Sequence, residues 1–241
     1  MNSQFPENQL ASLITSKVYF HLGEYNEALN FALGSGDAFQ ISNRDDTFVD
    51  KMIEACIDKY IQLRVQQEDE KKYVEIDPRL EEIVNKMFNR CFQDGKFKQA
   101  LGIALETRRL DVAKKSILLS KNVSKMLSYC VNIANQLITS REFRSKVLRM
   151  LADMFADDSL ENLEKEDRNY YGQAECYLFL DDWEKVLQIL EKLVKSSEDD
   201  ALIAYQIAFD LHDRASQHFI QNITKSLQGD SKNDDSNVIN L

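Results

Sequence analysis

The side chains that could act in catalysis or bind a metal are few and scattered along this sequence. The three histidines are His21, His212 and His218, and the last two are about 240° apart around a helix. The four cysteines form no CxxC pair, and each lies among apolar residues. We therefore expect structural or surface histidines and buried free thiols, which are typical of a reducing compartment.

The sequence also lacks complete motifs for hydrolysis and phosphate binding. It contains neither HExxH nor GxSxG. Gly34-Ser-Gly36 is followed by Phe39 where a dinucleotide-binding loop has a third glycine, and Gly95-Lys96 is followed by Phe97 where a phosphate loop has Ser or Thr. We predict that the chain is not an enzyme and takes no cofactor, no metal and no small-molecule substrate.

Charge is the one chemical feature that is unevenly distributed. The net charge is −10, but residues 96–149 carry 12 basic and only 3 acidic side chains. The candidate contact surface consists of six basic residues in this segment: Arg108, Arg109, Lys114, Lys115, Lys121 and Lys125. They form either a solvated face with salt bridges to acidic neighbours or a docking face for an acidic protein. The overall negative charge and the absence of interleaved aromatics disfavour nucleic acid and anionic membranes as partners.

Helices must position these residues, because apolar side chains recur with a period close to 3.6 along almost the whole chain. Only 7 glycines and 2 prolines are present, too few for a sheet protein with many tight turns. Asp77-Pro78 is a helix start, and Asp181 with Glu184 resembles a capping box. We predict about ten to twelve helices and no sheet.

A short pattern repeats along the chain and indicates how the helices are joined. Gly23, Tyr25 and Ala28 recur as Gly95, Phe97 and Ala100. A looser third copy begins at Asp181 and has Trp183 in the aromatic position. A tight turn, an aromatic that plugs the groove between two helices and a small residue are typical of helical hairpins. We predict that antiparallel hairpins stack into an irregular, tetratricopeptide-like, right-handed solenoid.

The same patterns predict the domain organisation. One helical-repeat domain is expected over residues 1–227, with charged loops near 65–76 and 156–168. The polar segment 228–241 is predicted to be a disordered tail. The N-terminus has no basic and apolar signal-peptide pattern, and the longest uncharged stretch is too short and polar to cross a bilayer.

Several strings resemble one known family. GIALETRRLD (102–111) and AYQIAFDL (204–211) are the most specific, and ASLITSKVYFHLGEYNEALNFALGSGDAF (11–39) and CYLFLDDWEKVLQILEKLVK (176–195) extend the match in order over residues 9–220. The family is the larger of the two large non-ATPase scaffold subunits in the base of the 26S proteasome regulatory particle. Its members are several times longer and combine a helical rod, a closed ring of proteasome/cyclosome repeats and a small terminal domain.

This resemblance implies a fragment of the rod, which begins after the family's first helices and stops before the ring. It implies a non-catalytic scaffold in the cytoplasm and nucleus that supports degradation of ubiquitinated proteins by contacting other regulatory-particle subunits. Ubiquitin and receptor docking would lie outside this chain. The alternative is a free-standing helical-repeat adaptor that binds an acidic protein outside the proteasome.

Overall fold

The computed structural model describes residues 7–39, 47–157 and 169–230 of the chain. These residues form twelve α-helices, one single-turn 3-10 helix at Gly36–Ala38 and no β-strand. The predicted all-α class and the predicted number of helices are therefore confirmed. None of the described helices is long and apolar enough to cross a lipid bilayer.

The chain divides into two compact units, Met1–Ser120 and Lys121–Leu241. The prediction of one domain over 1–227 stays a prediction. The helices of the first unit are α1 Asn8–His21, α2 Tyr25–Gly34, α3 Thr47–Glu68, α4 Pro78–Gln93, α5 Phe97–Glu106 and α6 Leu110–Leu118. Those of the second unit are α7 Val123–Leu137, α8 Arg141–Ala156, α9 Tyr170–Phe179, α10 Trp183–Val194, α11 Glu198–Arg214 and α12 Gln217–Asp230.

Polar residues cap several of these helices in the way the sequence suggests. The Asp77 carboxylate accepts a hydrogen bond from the Arg79 backbone N–H at 2.9 Å, with Pro78 in the first turn of α4, as predicted. Asp182, not Asp181, caps α10, because its carboxylate accepts from the Lys185 N–H. The capping role predicted for Asp181 is therefore wrong, and this residue belongs to the turn.

Gly23, Gly95 and Asp181 occupy equivalent positions in three helical hairpins. Each lies in a three-residue connection and has a positive φ, of 81°, 70° and 58° respectively. Each donates its N–H to the carbonyl three residues before it, and the next residue donates to the carbonyl five residues before its own position. This left-handed cap closes the first helix and turns the chain back into the second. The alignment of the three copies therefore reflects a shared backbone geometry.

A fourth copy of this turn joins α5 to α6 and has Arg108 in the left-handed position, with φ 59°. The Arg108 N–H donates to the Leu105 carbonyl and the Arg109 N–H to the Ala104 carbonyl, at 3.3 and 2.8 Å. This copy was not predicted from the sequence, because arginine replaces glycine and Leu110 replaces the aromatic. Its only remaining signal is Ala113, five residues after the turn.

The residue five positions after each turn is alanine in three copies and valine in the fourth. Ala28, Ala100, Ala113 and Val186 are all fully buried. The aromatic two positions after the turn is less enclosed than predicted, since Tyr25 remains 50% exposed. The rings of Tyr25 and Phe97 pack against the residue three positions before their turns, with centroids 5.9 Å from Phe20 and 6.5 Å from Phe92. Trp183 is partly buried at the start of α10.

Two predicted loop boundaries differ from the structure. α3 continues to Glu68, so the non-helical connector before α4 begins four residues later than the predicted start of the 65–76 loop. The last helix continues to Asp230, into the segment predicted as a disordered tail. Residues 158–168 and 231–241, which make up most of the second predicted loop and of the tail, lie outside the described residues.

Candidate protein-contact surface

Arg108 points its side chain back across the turn that it forms. Its guanidinium contacts both carboxylate oxygens of Asp69, at 2.8 Å from Nη2 and 3.4 Å from Nε, just beyond the end of α3. Nη1 donates to the Leu105 carbonyl at 3.1 Å, near the end of α5. Both side chains of this ion pair are largely screened from solvent. Arg108 therefore ties the α5–α6 turn to α3.

Arg109 makes an even wider set of contacts within the first unit. Two of its nitrogens bind the two carboxylate oxygens of Asp111 at 2.8 and 2.7 Å. Nη1 donates to the Tyr60 hydroxyl oxygen at 3.1 Å and to Asn85 Oδ1 at 3.3 Å, and lies 3.6 Å from a carboxylate oxygen of Glu81. This one side chain thus connects α3, α4 and α6.

The electrostatics agree with this connecting role. The hydrogen bonds from Arg109 lower the pKa of the Asp111 carboxyl below its usual value, and the bond to Asp111 raises the pKa of the Arg109 guanidinium. Arg64 on α3 adds a further link, since its Nε donates to the carbonyl of the buried Thr107 at 3.3 Å. We call Arg64, Arg108 and Arg109 the arginine clamp.

The remaining four basic residues are exposed. Lys114 and Lys115 lie on α6, and the Lys115 ammonium is 5.1 Å from the centre of the Phe92 ring. Lys121 and Lys125 belong to the second unit, where Lys125 lies in the first turn of α7. The six predicted residues therefore do not form one homogeneous set. The two arginines make contacts inside the first unit. Of the four exposed lysines, two lie in the first unit and two in the second. A role in partner contact stays a prediction for these lysines.

The sequence did not reveal which residues accept hydrogen bonds from the side chains of Arg108 and Arg109. Asp69 and Tyr60 are 39 and 49 residues away along the chain, so no local pattern marks them. The charge count did contain the general signal, because residues 1–95 have an excess of acidic side chains and residues 96–149 have an excess of basic ones.

The thiols are arranged as structural residues. All four cysteines are free and buried, as predicted. Burial raises the pKa of the Cys56, Cys130 and Cys176 thiols to about 12, so that the reactive thiolate is scarce near neutral pH. Among the described residues, no three His, Cys, Asp or Glu side chains are grouped so that they could hold a metal ion. All three histidines are exposed.

Comparison of the sequence with known proteins identifies the family of this chain. The family model described as "26S proteasome subunit RPN2, N-terminal domain" matches residues 1–241. The chain is 43% identical over 226 residues to the 26S proteasome non-ATPase regulatory subunit 1 of Drosophila melanogaster, covering 93% of this chain and 21% of that protein. It is 41% identical to homolog B of that subunit in Arabidopsis thaliana, covering 92% and 21%. It is 33% identical to the regulatory subunit rpn2 of Schizosaccharomyces pombe, covering 94% and 23%. The chain spans about a fifth of the length of these relatives.

Proposed function

The chain belongs to the family of the N-terminal domain of 26S proteasome subunit RPN2, and from this premise we propose that it is a non-catalytic scaffold segment of the proteasome regulatory particle. The observation that carries the proposal is the family match over residues 1–241, together with relatives whose names describe regulatory subunits. In this role the chain supports the degradation of ubiquitinated proteins by holding other subunits in place. It would act in the cytoplasm and nucleus.

The internal chemistry supports a structural rather than a catalytic role. Arg108 and Arg109 have their donors directed at Asp69, Asp111 and Tyr60, so they are used for holding helices together. Three thiols with a pKa raised to about 12 are poor nucleophiles. These two arginines are thus occupied within the first unit, and these three thiols remain protonated near neutral pH.

We assign partner contact to the exposed lysines rather than to the arginine clamp. Lys114 and Lys115 are exposed neighbours on α6, in a segment with a strong excess of basic residues. Such a pair is suited to steering an acidic surface of another regulatory-particle subunit towards the chain. Exposed charges at the edge of an interface mainly change the association rate and the dependence of that rate on salt.

The proposal is tested by affinity purification of the tagged chain from cells, followed by quantitative mass spectrometry of the captured proteins. We expect regulatory-particle subunits to be enriched, and the enrichment to fall for Lys114→Glu with Lys115→Glu. Lys185→Glu with Lys195→Glu is the matched control, because these two lysines are also exposed but lie in the second unit. Capture of no proteasome subunit by the folded chain would contradict the proposal.

A further inference from the structure

Helix α11 carries apolar side chains on the side that faces away from its own core. Leu202, Tyr205 and Phe209 are 65%, 38% and 74% exposed. At 100° per residue they fall within an arc of about 60°, centred about 160° from the buried residues Ala204, Ile207 and Leu211. Helices that are apolar on two opposite sides are typically covered on both. We call Leu202, Tyr205 and Phe209 the α11 stripe.

A hydrogen-bonded network fixes the orientation of this stripe. The Tyr171 hydroxyl on α9 donates to Asp210 Oδ2 on α11 at 2.6 Å. Arg214 Nη2 donates to Glu175 Oε1 at 2.9 Å, and Arg214 Nη1 donates to Asp210 Oδ2 at 3.0 Å. These contacts tie α11 to α9 through residues that lie outside the stripe. The stripe is therefore presented on a preorganised helix, which lowers the entropic cost of binding.

The charges along α11 itself, before and after the stripe, have one sign as far as Asp213. Residues 196–213 contain five carboxylates and no lysine or arginine. Glu198 and Asp199 are exposed before the stripe, and Asp213 is exposed after it. Arg214, the next cation along the helix, is paired with Asp210 and Glu175. An apolar surface with acidic ends selects a partner whose apolar side chains are flanked by basic ones.

We propose that the α11 stripe is a docking site for an amphipathic helix of another protein, with apolar residues at i, i+3 or i+4 and i+7 and with lysine or arginine at its flanks. A second copy of this chain is a poorer occupant, because the carboxylates of two α11 helices would face each other. The inference rests on α11 and its neighbours, and it does not depend on the assignment to the proteasome.

The test uses the complete chain and two synthetic peptides of about 18 residues that form amphipathic helices. One combines leucine with lysine, and the other combines leucine with glutamate in the same pattern. Fluorescence anisotropy at about 0.15 M salt measures both dissociation constants. We expect the leucine–lysine peptide to bind at least about tenfold more tightly than the leucine–glutamate peptide.

Variants separate docking on the stripe from general attraction to an acidic protein. Leu202→Ala with Phe209→Ala leaves every charge in place and should weaken binding of the leucine–lysine peptide by at least about tenfold. Leu137→Ala is the matched control, since Leu137 is 70% exposed at the end of α7, and it should change binding by less than about twofold. Equal binding by the double variant and the wild type would overturn the proposal.

A measurement on the wild-type chain provides an independent readout. Amide hydrogen exchange with and without the leucine–lysine peptide should show added protection on α11. Protection confined to other helices would overturn the proposal. A concentration-dependent dimer in sedimentation that the double variant abolishes would also overturn it, because the occupant of the stripe would then be a second copy of the chain.

Discussion

The substitution Arg109→Met removes the centre of the arginine clamp while keeping a long apolar stem in its place. In the native chain, Arg109 Nη1 donates to the hydroxyl oxygen of Tyr60, which is fully buried on α3. The same guanidinium binds both carboxylate oxygens of the exposed Asp111. Methionine can make none of these hydrogen bonds. The substitution therefore tests whether this residue, predicted from sequence as part of a contact surface, stabilises the first unit.

The expected loss of stability follows from these contacts. A buried hydroxyl that loses its charged donor destabilises the fold by roughly 1–3 kcal/mol. The ion pair with the exposed Asp111 contributes only about 0.2–1 kcal/mol. We therefore expect Arg109→Met to lower the free energy of unfolding of the first unit by about 1–4 kcal/mol. Lys114→Met, at an exposed position on α6, should change it by less than about 0.5 kcal/mol.

Native-state amide hydrogen exchange of α3–α6 in the complete chain is the appropriate assay. The chain has two compact units, so a single global unfolding transition need not report on the first one alone. A double-mutant cycle with Tyr60→Phe isolates the hydrogen bond, and Arg109→Met should cost roughly 1–3 kcal/mol less in that background. A loss below about 0.5 kcal/mol, or an equal loss in both backgrounds, would refute the reasoning.

Three further predictions concern the turns, the thiols and the α9–α11 network. Gly95→Ala should lower stability by about 1 kcal/mol because φ is +70°, although no atom other than those of Gly95 and its chain neighbours lies within 4 Å of the position that the new Cβ would take. Asp181→Gly should raise stability by roughly 0.5–1 kcal/mol, measured by urea unfolding followed by Trp183 fluorescence. At about pH 8 a chromogenic thiol reagent should label the native chain much more slowly than the chain in guanidinium, and rapid native labelling would contradict the burial of the thiols. The hydrogen bond from the Tyr171 hydroxyl lowers the pKa of the Asp210 carboxyl. This carboxylate therefore stabilises the fold at pH values above its unfolded pKa of about 4, and the stabilisation is lost as the pH falls through the lower folded pKa. Tyr171→Phe should flatten that part of the pH–stability profile.

The helices and most of the hairpin turns could be predicted from the sequence, because their determinants are local. The apolar period specifies a helix within a few turns, and Gly23 and Gly95 mark positions where the backbone needs a positive φ. The turn at Arg108 escaped this reasoning, since arginine carries no such signal. Its side chain instead binds Asp69 and the Leu105 carbonyl near the end of α5.

The candidate contact surface was harder to predict, because the exposure of its basic residues depends on contacts that are distant in sequence. A run of basic residues is visible in the sequence, but whether a charge is exposed depends on partners that the fold brings from elsewhere. Tyr60 and Asn85 reach Arg109 from helices that are distant in sequence, whereas Lys114 and Lys115 find no comparable enclosure and stay exposed. Charge counts therefore located the segment but could not separate the clamp from the exposed lysines.

For the α11 stripe, the sequence pattern predicted the helix but not which of its apolar residues are exposed. The string AYQIAFDL was distinctive in the sequence, yet its apolar residues fall on two sides of one helix, and the pattern does not say which side is buried. Only the packing of Ile207 and Leu211 into the core identifies Tyr205 and Phe209 as the outward residues. The sequence thus predicts the helix, and the tertiary contacts decide which of its apolar residues remain available.

Native mass spectrometry of the tagged chain purified from cells tests the proposed scaffold role most directly. We expect assemblies whose masses equal those of the tagged chain, 27.9 kDa plus the tag, and one or more regulatory-particle subunits. The clamp variant Arg109→Met should reduce these assemblies only in proportion to its loss of folded chain, whereas Lys114→Glu with Lys115→Glu should reduce them with the fold intact. A folded wild-type chain found alone, or only with proteins from outside the proteasome, would contradict the scaffold role.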